Sequence, residues 1–307
     1  MSTVTRRTML VSQRVLRMWV LVQRALVIVG LAAFALIFLL PIWVMVVSSF
    51  KPNELTVRDM GSAMALVPRF RSSEVPAPEG WWLFANYRAL FERLFMGRMF
   101  LNSFIICGGV VAGRLVVDSM AGYALARLRW RGRHIVLTII VSLIIIPFET
   151  IALPLLVLVS KLGWFNSYQA QIIPFISSPL AIFLFYQFFL NVPRELEESA
   201  RVDGASFLRI FIVIVVPITT PVFATVAILG FLEIWGSFMW PLMITRDFEY
   251  RPAILGLFFV FNDQVFWDNG RAQIMAFATL ATVPLLVVFV ALQRWFIQSV
   301  TRTGITG

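Results

Sequence analysis

The most polar helix-compatible stretch of the chain is residues 191–217, NVPRELEESARVDGASFLRIFIVIVVP, which lies between two long apolar runs. Two carboxylates within it, those of Glu198 and Asp203, can accept charge-assisted hydrogen bonds from basic groups of a partner. The small residues around them are Ser199, Ala200, Gly204 and Ala205. Small side chains let a second surface approach closely, so the stretch is predicted to dock another molecule. The alternative is a solvated loop between two membrane spans.

The same stretch predicts a short helix-turn-helix. Asn191 can cap a helix whose first turn contains Pro193. The acidic residues that follow, near the positive end of the helix dipole, are Glu195, Glu197 and Glu198. The first helix should end near Asp203, because Gly204 tolerates the left-handed backbone that often follows a helix. Ser206 can then cap a second helix.

The elements that must position this stretch lie in a membrane. Of the 307 residues, 60% are hydrophobic and the mean hydropathy is +0.86, which is more apolar surface than a soluble domain can bury. The formal net charge is +10, but the 24 arginines and two lysines are spread among apolar segments, so we expect no nucleic-acid partner. A single cysteine, Cys107, and a single histidine, His134, predict no intramolecular disulfide, no metal site and no catalytic triad.

Six runs of the chain are apolar over the roughly 20 residues that a membrane-spanning helix needs. They cover about residues 25–50, 99–126, 135–158, 169–190, 212–240 and 273–293. Residues 1–24 carry five arginines and no acidic residue, and residues 127–134 form a second basic connector. Because positive charge marks the cytoplasmic side, residues 1–24 and both termini are predicted to be cytoplasmic. Residues 25–307 are then one all-α membrane domain with six spans.

Charged side chains inside the predicted spans are candidates for handling a solute. Arg114 and Asp118 are four residues apart, so they can form an ion pair on one helix face, either structural or in contact with substrate. Glu149 lies between two prolines and faces either a translocation pathway or the outer interface. Glu233 and Trp235 together suit a hydroxyl-rich ligand, and the alternative is that they pack helices together.

An energy source for uphill transport is missing from the sequence. Lys51 and Lys161 lack the glycines and the following serine or threonine of a phosphate-binding loop. No catalytic set is present, so the chain is predicted not to be an enzyme and to hold no cofactor. A docking loop without a motor implies that the motor is a separate chain.

Residues 198–205, ESARVDGA, followed by Phe211 and Pro217, resemble the EAA loop of the permease subunits of binding-protein-dependent ABC importers. Further stretches are similar to carbohydrate permeases of the type of the second maltose-permease subunit. They include PIWVMVVSSFK at residues 41–51, NY at 86–87, AGYALARLRWRGR at 121–133, GWFNSY at 163–168 and QRWFIQSVT at 293–301. The resemblance covers nearly the whole chain. We therefore call residues 191–216 the coupling segment.

The resemblance implies the type I ABC importer permease fold in a bacterial or archaeal inner membrane. It implies four partners besides the bilayer: a second homologous permease, two ATPase subunits that bind ATP and Mg²⁺, and an extracytoplasmic sugar-binding protein. Glu198 would pair with a basic residue of the ATPase, and the Gly204 turn would sit in the ATPase cleft. Residues 299–307 would approach the same interface.

The function implied by the resemblance is ATP-driven import of a sugar or oligosaccharide, with glycerol phosphate or a polyol as the nearest alternative solute. A different class of function is an ion-coupled secondary transporter. Its relay would use the acidic and basic residues inside the spans, namely Arg114, Asp118, Glu149 and Glu233.

Overall fold

The computed structural model describes residues 3–303 except Glu74, Ala77, Trp81, Leu94, Phe95 and residues 263–269. Its side chains are described between residues 19 and 294, apart from those gaps and Arg93, Val260 and Phe261. The last four residues of the predicted ATPase-facing tail lie outside the described residues, and the part from Ser299 to Thr303 is helical.

All regular secondary structure in the described ranges is helical, which confirms the all-α class. The α-helices, numbered α1 to α15, are Thr3–Ser49, Asn53–Asp59, Ala85–Arg93, Met96–Arg127, Arg133–Leu143, Phe148–Lys161, Tyr168–Ile172, Pro179–Leu190, Arg194–Val202, Phe207–Ile210, Val216–Ile218, Thr220–Trp235, Met239–Ile244, Ala253–Asn262 and Arg271–Thr303. Short 3₁₀ helices cover Ala63–Leu66, Ile173–Phe175 and Phe248–Tyr250, and a π-helical turn covers Phe211–Val215.

Within the described residues, four helical stretches are each long and apolar enough to cross a membrane. They are Trp19–Ser49, Met96–Arg127, Tyr168–Leu190 and Arg271–Arg294. Two further spans are formed if each of two bent helix pairs counts as one crossing. The total of up to six agrees with the six apolar runs of the sequence.

Prolines break the third predicted span. Arg133–Leu143 and Phe148–Lys161 meet at an angle of 101°. Pro147 has an extended backbone (φ −67°, ψ 143°) and cannot donate a backbone hydrogen bond, so the helix stops and a new one begins after it. Pro154 lies inside the second helix without ending it.

The fifth predicted span, residues 212–240, is bent, and its last helix ends earlier than predicted. Its helices Phe207–Ile218 and Thr220–Trp235 meet at 80° across Thr219, two residues before Pro221. The second helix ends at Trp235, with Gly236 as its C-cap. Pro241, expected just beyond the span, lies inside the separate helix Met239–Ile244.

The chain divides into two compact units. The first consists of Met1–Asn86 and Asn269–Thr279, and the second of Tyr87–Asp268 and Leu280–Gly307.

The first unit contains a buried charge cluster just after α1. Lys51 Nζ lies 2.9 Å from Asp59 Oδ2 and donates a hydrogen bond to the Met64 carbonyl at 2.9 Å. Arg69 also donates to Asp59 through Nε, at 3.2 Å, and through Nη2. Asn86 donates to the carbonyls of Ser49 (2.8 Å) and Lys51 (2.9 Å). This network ties the end of the first span to the loop that follows it.

In the second unit, α4 packs closely against the segment that contains α7 and α8. A Cβ atom on Gly122 would lie 2.6 Å from Phe185 Cβ and 3.0 Å from the Tyr186 backbone nitrogen. The same helix approaches Ile172 at Gly109 and Ile176 at Gly113. Helices approach this closely in membranes where small residues line the contact. A buried cluster that includes Tyr123, Phe185, Phe189 and Phe211, here called the aromatic cluster, lies at this interface. The coupling segment packs against it.

We predict that Gly122→Ala lowers the stability of the second unit by about 1–3 kcal/mol, because the new methyl group overlaps backbone and side-chain atoms of α8. The thermal unfolding midpoint of the purified chain measures the effect. Gly108→Ala is the matched control on the same helix, since no atom lies within 4 Å of its added Cβ. Equal midpoints for the two variants would show that the helices can separate without cost.

A second prediction concerns the pH dependence of the Asp59 cluster. Burial alone would raise the pKa of Asp59, but hydrogen bonds and positive charges from Arg69 and Lys51 lower it below its ordinary value. The stabilisation is therefore present at neutral pH and is lost as the pH falls through the lowered pKa of the folded state. Asp59→Asn leaves Lys51 buried beside a neutral group, which should cost about 3–5 kcal/mol at neutral pH.

The measurement is the rate of proteolysis within residues 52–69 across a falling pH series. The wild-type protein and Asp59→Asn should differ most at neutral pH and converge in acid. Glu92→Gln, which removes an exposed pair with Arg88, is the control and should change little at any pH. A constant difference across the series would contradict a role for the Asp59 charge.

Candidate functional site

The first helix of the coupling segment is α9, Arg194–Val202. It begins later than predicted, because Asn191 is the C-cap of α8 and donates its side-chain amide to the Gln187 carbonyl at 3.0 Å. Pro193 takes the N-cap position with an extended backbone and no side-chain hydrogen bond. Proline has no backbone N–H to donate, so it cannot continue α8, but the start of a helix needs no such donor. Pro193 therefore separates the end of α8 from the start of α9.

The predicted turn at Gly204 is confirmed. Gly204 has φ +79° and its N–H donates to the Arg201 carbonyl at 3.0 Å. Ala205 N–H reaches back to the Ala200 carbonyl at 2.9 Å, which completes the hydrogen-bond pattern of a Schellman motif. The left-handed backbone is what closes this turn, and only glycine adopts it at no steric cost.

The second helix starts where the sequence predicts. The Ser206 hydroxyl accepts a hydrogen bond from Arg209 N–H at 3.3 Å, so serine caps the helix that begins at Phe207. The chain then passes through a π-helical turn, Phe211–Val215, before Pro217. Phe211 and Val215 are buried in the aromatic cluster with Tyr123.

The small residues of the coupling segment face two ways. Ala200 and Ala205 are half-buried and pack against the aromatic cluster, whereas Ser199 and Gly204 are exposed. No atom lies within 4 Å of the position that a Cβ on Gly204 would take. The turn is therefore open on the side of Gly204 and packed against the aromatic cluster on the side of Ala200 and Ala205.

Two acidic residues, Glu198 and Asp203, lie at this surface. Glu198 and Asp203 are exposed, and their side chains make no hydrogen bond or ion pair within the described ranges. Their carboxylates are available to positive groups of another molecule.

A buried ion pair that the sequence analysis missed anchors the coupling segment. Arg127 Nε lies 3.0 Å from Glu197 Oε1, and the two side chains are only 3% and 6% exposed. Arg127 also donates through Nη2 to the carbonyl of Val192, just before α9. The last residue of α4 thus contacts the coupling segment twice, at Val192 just before α9 and at Glu197 within α9. Helical periodicity offered a signal, because Glu197 shares a helix face with the small residue Ala200 three positions on.

Inside the membrane spans, Arg114 and Asp118 do not form the predicted pair with each other. The Arg114 guanidinium makes a two-pronged contact with Glu233, at 2.7 and 3.0 Å, and donates through Nε to the Phe175 carbonyl at 3.0 Å. Asp118 is fully buried and accepts hydrogen bonds from the Ser177 hydroxyl (2.6 Å) and the Ser178 backbone nitrogen (3.0 Å). Both side chains therefore bond to neighbouring segments rather than to each other. For Arg114, the planar guanidinium matches the two carboxylate oxygens of Glu233.

The three candidate pathway residues are in different surroundings. Glu233 is 57% exposed although its partner Arg114 is only 5% exposed, so the pair is open on the carboxylate side. Trp235 is buried, donates its indole N–H to the Ala281 carbonyl at 3.0 Å and stacks on Phe231, which favours the helix-packing alternative for this side chain. Glu149 is exposed in the first turn of α6, beside the break at Pro147.

No group of three or more histidine, cysteine, aspartate or glutamate side chains in the described ranges is placed to hold a metal ion. An all-helical subunit with paired charges inside its spans and an open turn at one end has the architecture of the membrane component of a transporter.

Comparison with known proteins agrees with this class. The chain belongs to the family described as binding-protein-dependent transport system inner membrane component, whose model matches residues 119–302. It is 31% identical over 274 residues to the arabinooligosaccharides transport system permease protein AraQ of Bacillus subtilis (strain 168), covering 89% of this chain and 92% of the relative. It is also 31% identical over 205 residues to the sn-glycerol-3-phosphate transport system permease protein UgpE of Pectobacterium atrosepticum, covering 66% of this chain and 72% of that one.

A solved structure shares the fold. A chain of a bacterial ABC transporter involved in the import of the acidic polysaccharide alginate superposes with a TM-score of 0.73 at 23% identity, over 91% of this chain and 97% of that chain. The predicted type I ABC importer permease fold and the predicted family are thereby confirmed.

We predict that Glu197→Gln loosens the coupling segment, because it leaves the buried Arg127 guanidinium without its counter-charge. Removing one partner of a buried ion pair costs about 3–5 kcal/mol. Hydrogen–deuterium exchange of residues 194–203 should rise in this variant. Glu195→Gln, at an exposed position of the same helix, is the matched control and should leave exchange unchanged. The double variant Arg127→Met with Glu197→Leu should recover part of the protection, and exchange equal to wild type in Glu197→Gln would contradict the anchoring role.

Proposed function

We propose that this chain is the permease subunit of an ATP-driven importer for sugars or oligosaccharides, and that it forms half of the translocation pathway. The family assignment and the similarity to AraQ support this proposal most directly. The name of the alginate importer points to saccharides as well. Similarity to UgpE keeps glycerol phosphate as the second candidate solute.

The coupling segment is the proposed contact with the motor. Its contact residues are Glu198, Ser199, Ala200, Asp203, Gly204 and Ala205. The open space around Gly204 supports this assignment, as do the carboxylates of Glu198 and Asp203, which pair with no described residue. In this proposal the motor is an ATPase dimer that binds ATP and Mg²⁺, while this chain binds neither and catalyses no reaction. The segment and both termini are then cytoplasmic.

The pathway is proposed to form against a second homologous permease and to receive its solute from an extracytoplasmic binding protein. Glu233 is the best candidate to line it. A carboxylate that is more than half exposed within a membrane span is costly in lipid, so it should face water or a partner subunit. Its charge is already neutralised by Arg114, which leaves its oxygens able to accept hydrogen bonds from hydroxyl groups. Glu149 and Trp235 remain candidates of the same proposal.

The proposal predicts solute uptake into proteoliposomes only when the second permease, the ATPase and a loaded binding protein are present with ATP. Arabinooligosaccharides and glycerol 3-phosphate are the two solutes to compare. Uptake by this chain alone, driven by an ion gradient, would overturn the proposal in favour of a secondary transporter. Uptake of glycerol 3-phosphate but not of saccharides would change the solute and keep the class of transporter.

The Gly204 surface can be tested in the same preparation. Gly204→Trp fills the open space and strains the backbone, so co-purification of the ATPase should be lost while membrane insertion persists. Gly204→Asn is the control, because asparagine tolerates the left-handed backbone and adds little volume. Glu198→Ala should weaken ATPase binding by about 1–3 kcal/mol, the range for a charge-assisted contact. Normal ATPase recovery with Gly204→Trp would remove this turn from the interface.

A further inference from the structure

A cavity of about 500 Å³ lies between the α4–α5 connector and the coupling segment. The arginines that line it are Arg127, Arg129, Arg133, Arg194 and Arg201. Two glutamates of the coupling segment, Glu197 and Glu198, are the acidic residues of the lining, so five positive charges face two negative ones and the net charge is +3. Cavities of this volume hold small molecules or headgroups.

Two of these five arginines have no polar partner among the described residues. Arg129 and Arg194 make no hydrogen bond or ion pair in the part of the chain that the structure describes. Arg127 is nearly buried and uses Nε and Nη2 for Glu197 and Val192, which leaves its Nη1 without an acceptor among the described residues. The two glutamates of the lining balance only two of the five positive charges, and a bound anion would lower the remaining repulsion between the guanidinium groups.

The surroundings of the cavity are those of a membrane surface. Trp130, in the connector beside the cavity, is exposed at the end of the membrane span formed by α4. Tryptophan is enriched at the level of lipid headgroups. Three helices begin at residues that line the cavity, α5 at Arg133, α9 at Arg194 and α10 at Phe207. Of these, α5 and α10 carry exposed apolar side chains, including Ile135 on the former and Leu208 on the latter.

We propose that this cavity binds the phosphate group of an anionic membrane phospholipid. The phosphate lies among the arginines, with Arg129 and Arg194 as its principal ligands. Its acyl chains lie against the exposed apolar faces of α5 and α10. Basic pockets between membrane helices recognise anionic headgroups in this way.

A lipid fits the cavity better than a free phosphate ion does. A phosphate ion would use the arginines but would make no contact with the exposed apolar side chains of α5 and α10. A lipid satisfies both, because its headgroup and its chains are joined at the depth of the membrane surface. The bound lipid would also bridge the connector to the coupling segment, since Arg129 belongs to the former and Arg194 to the latter.

The test uses the transporter purified with its own partner subunits, stripped of lipid in detergent and titrated with phosphatidylglycerol or phosphatidylcholine under native mass spectrometry. One phosphatidylglycerol per permease should be retained, in preference to phosphatidylcholine. The double variant Arg129→Gln with Arg194→Gln should bind it roughly 30-fold more weakly, since each basic residue near an anionic headgroup contributes about a fivefold factor.

The matched control is Arg131→Gln with Arg209→Gln, which removes the same charge from neighbouring positions outside the cavity lining. Its affinity should stay near that of the wild type. Slower hydrogen exchange of residues 194–203 on adding phosphatidylglycerol would support the bridge and would be absent in the cavity variant.

Three results would overturn the proposal. Equal loss of lipid in the cavity and control variants would show that general surface charge binds it. Displacement of the lipid by millimolar inorganic phosphate, with phosphate also binding alone, would assign the site to a free anion. Retention only by permease lacking the ATPase, with loss of lipid when the ATPase docks, would assign the arginines to an acidic surface of that partner.

Discussion

The contact on which the coupling segment depends is the buried ion pair between Arg127 and Glu197. A helix of nine residues is marginal in water, because its few hydrogen bonds barely offset the cost of nucleation. Tertiary contacts must therefore hold it. Arg127 supplies them from the last residue of a membrane span, and the packed face of Ala200 and Ala205 supplies the rest. The Gly204 turn is therefore connected to α4 by the Arg127 contacts and to the aromatic cluster by side-chain packing.

A related constraint acts inside the spans, where a charge that is buried away from water must find a partner in the protein. Arg114 meets this constraint with a carboxylate from another helix and a carbonyl from the broken segment at Phe175. Asp118 meets it with Ser177 and the backbone of Ser178, where that segment is no longer helical. The breaks in the helices and the charges are therefore linked, because the non-helical backbone provides hydrogen-bond donors and acceptors that a regular helix does not.

Local features of this fold could be predicted from sequence. Gly204 and Ser206 act through their own backbone conformation or through a residue three positions away, and the apolar runs report only length and composition. The errors share a physical cause. Asn191 was assigned to the wrong helix because both neighbouring helices offered it a cap position. Arg114 was given the partner four residues away, while Glu233 is 119 residues away and its distance in space cannot be read from the sequence. The Arg127–Glu197 contact was missed for the same reason, since 70 positions separate the two residues.

Glu198 connects the two surfaces on either side of the coupling segment. It lines the arginine cavity, yet it forms no ion pair with any described residue, and with Asp203 it is one of the two exposed carboxylates at the surface beside the open turn. A charge bound at either surface therefore acts on the carboxylate of Glu198 and changes the free energy of binding at the other surface. Coupling of this kind is reciprocal, so docking at the turn changes the affinity of the cavity for an anion by the same factor by which the anion changes docking.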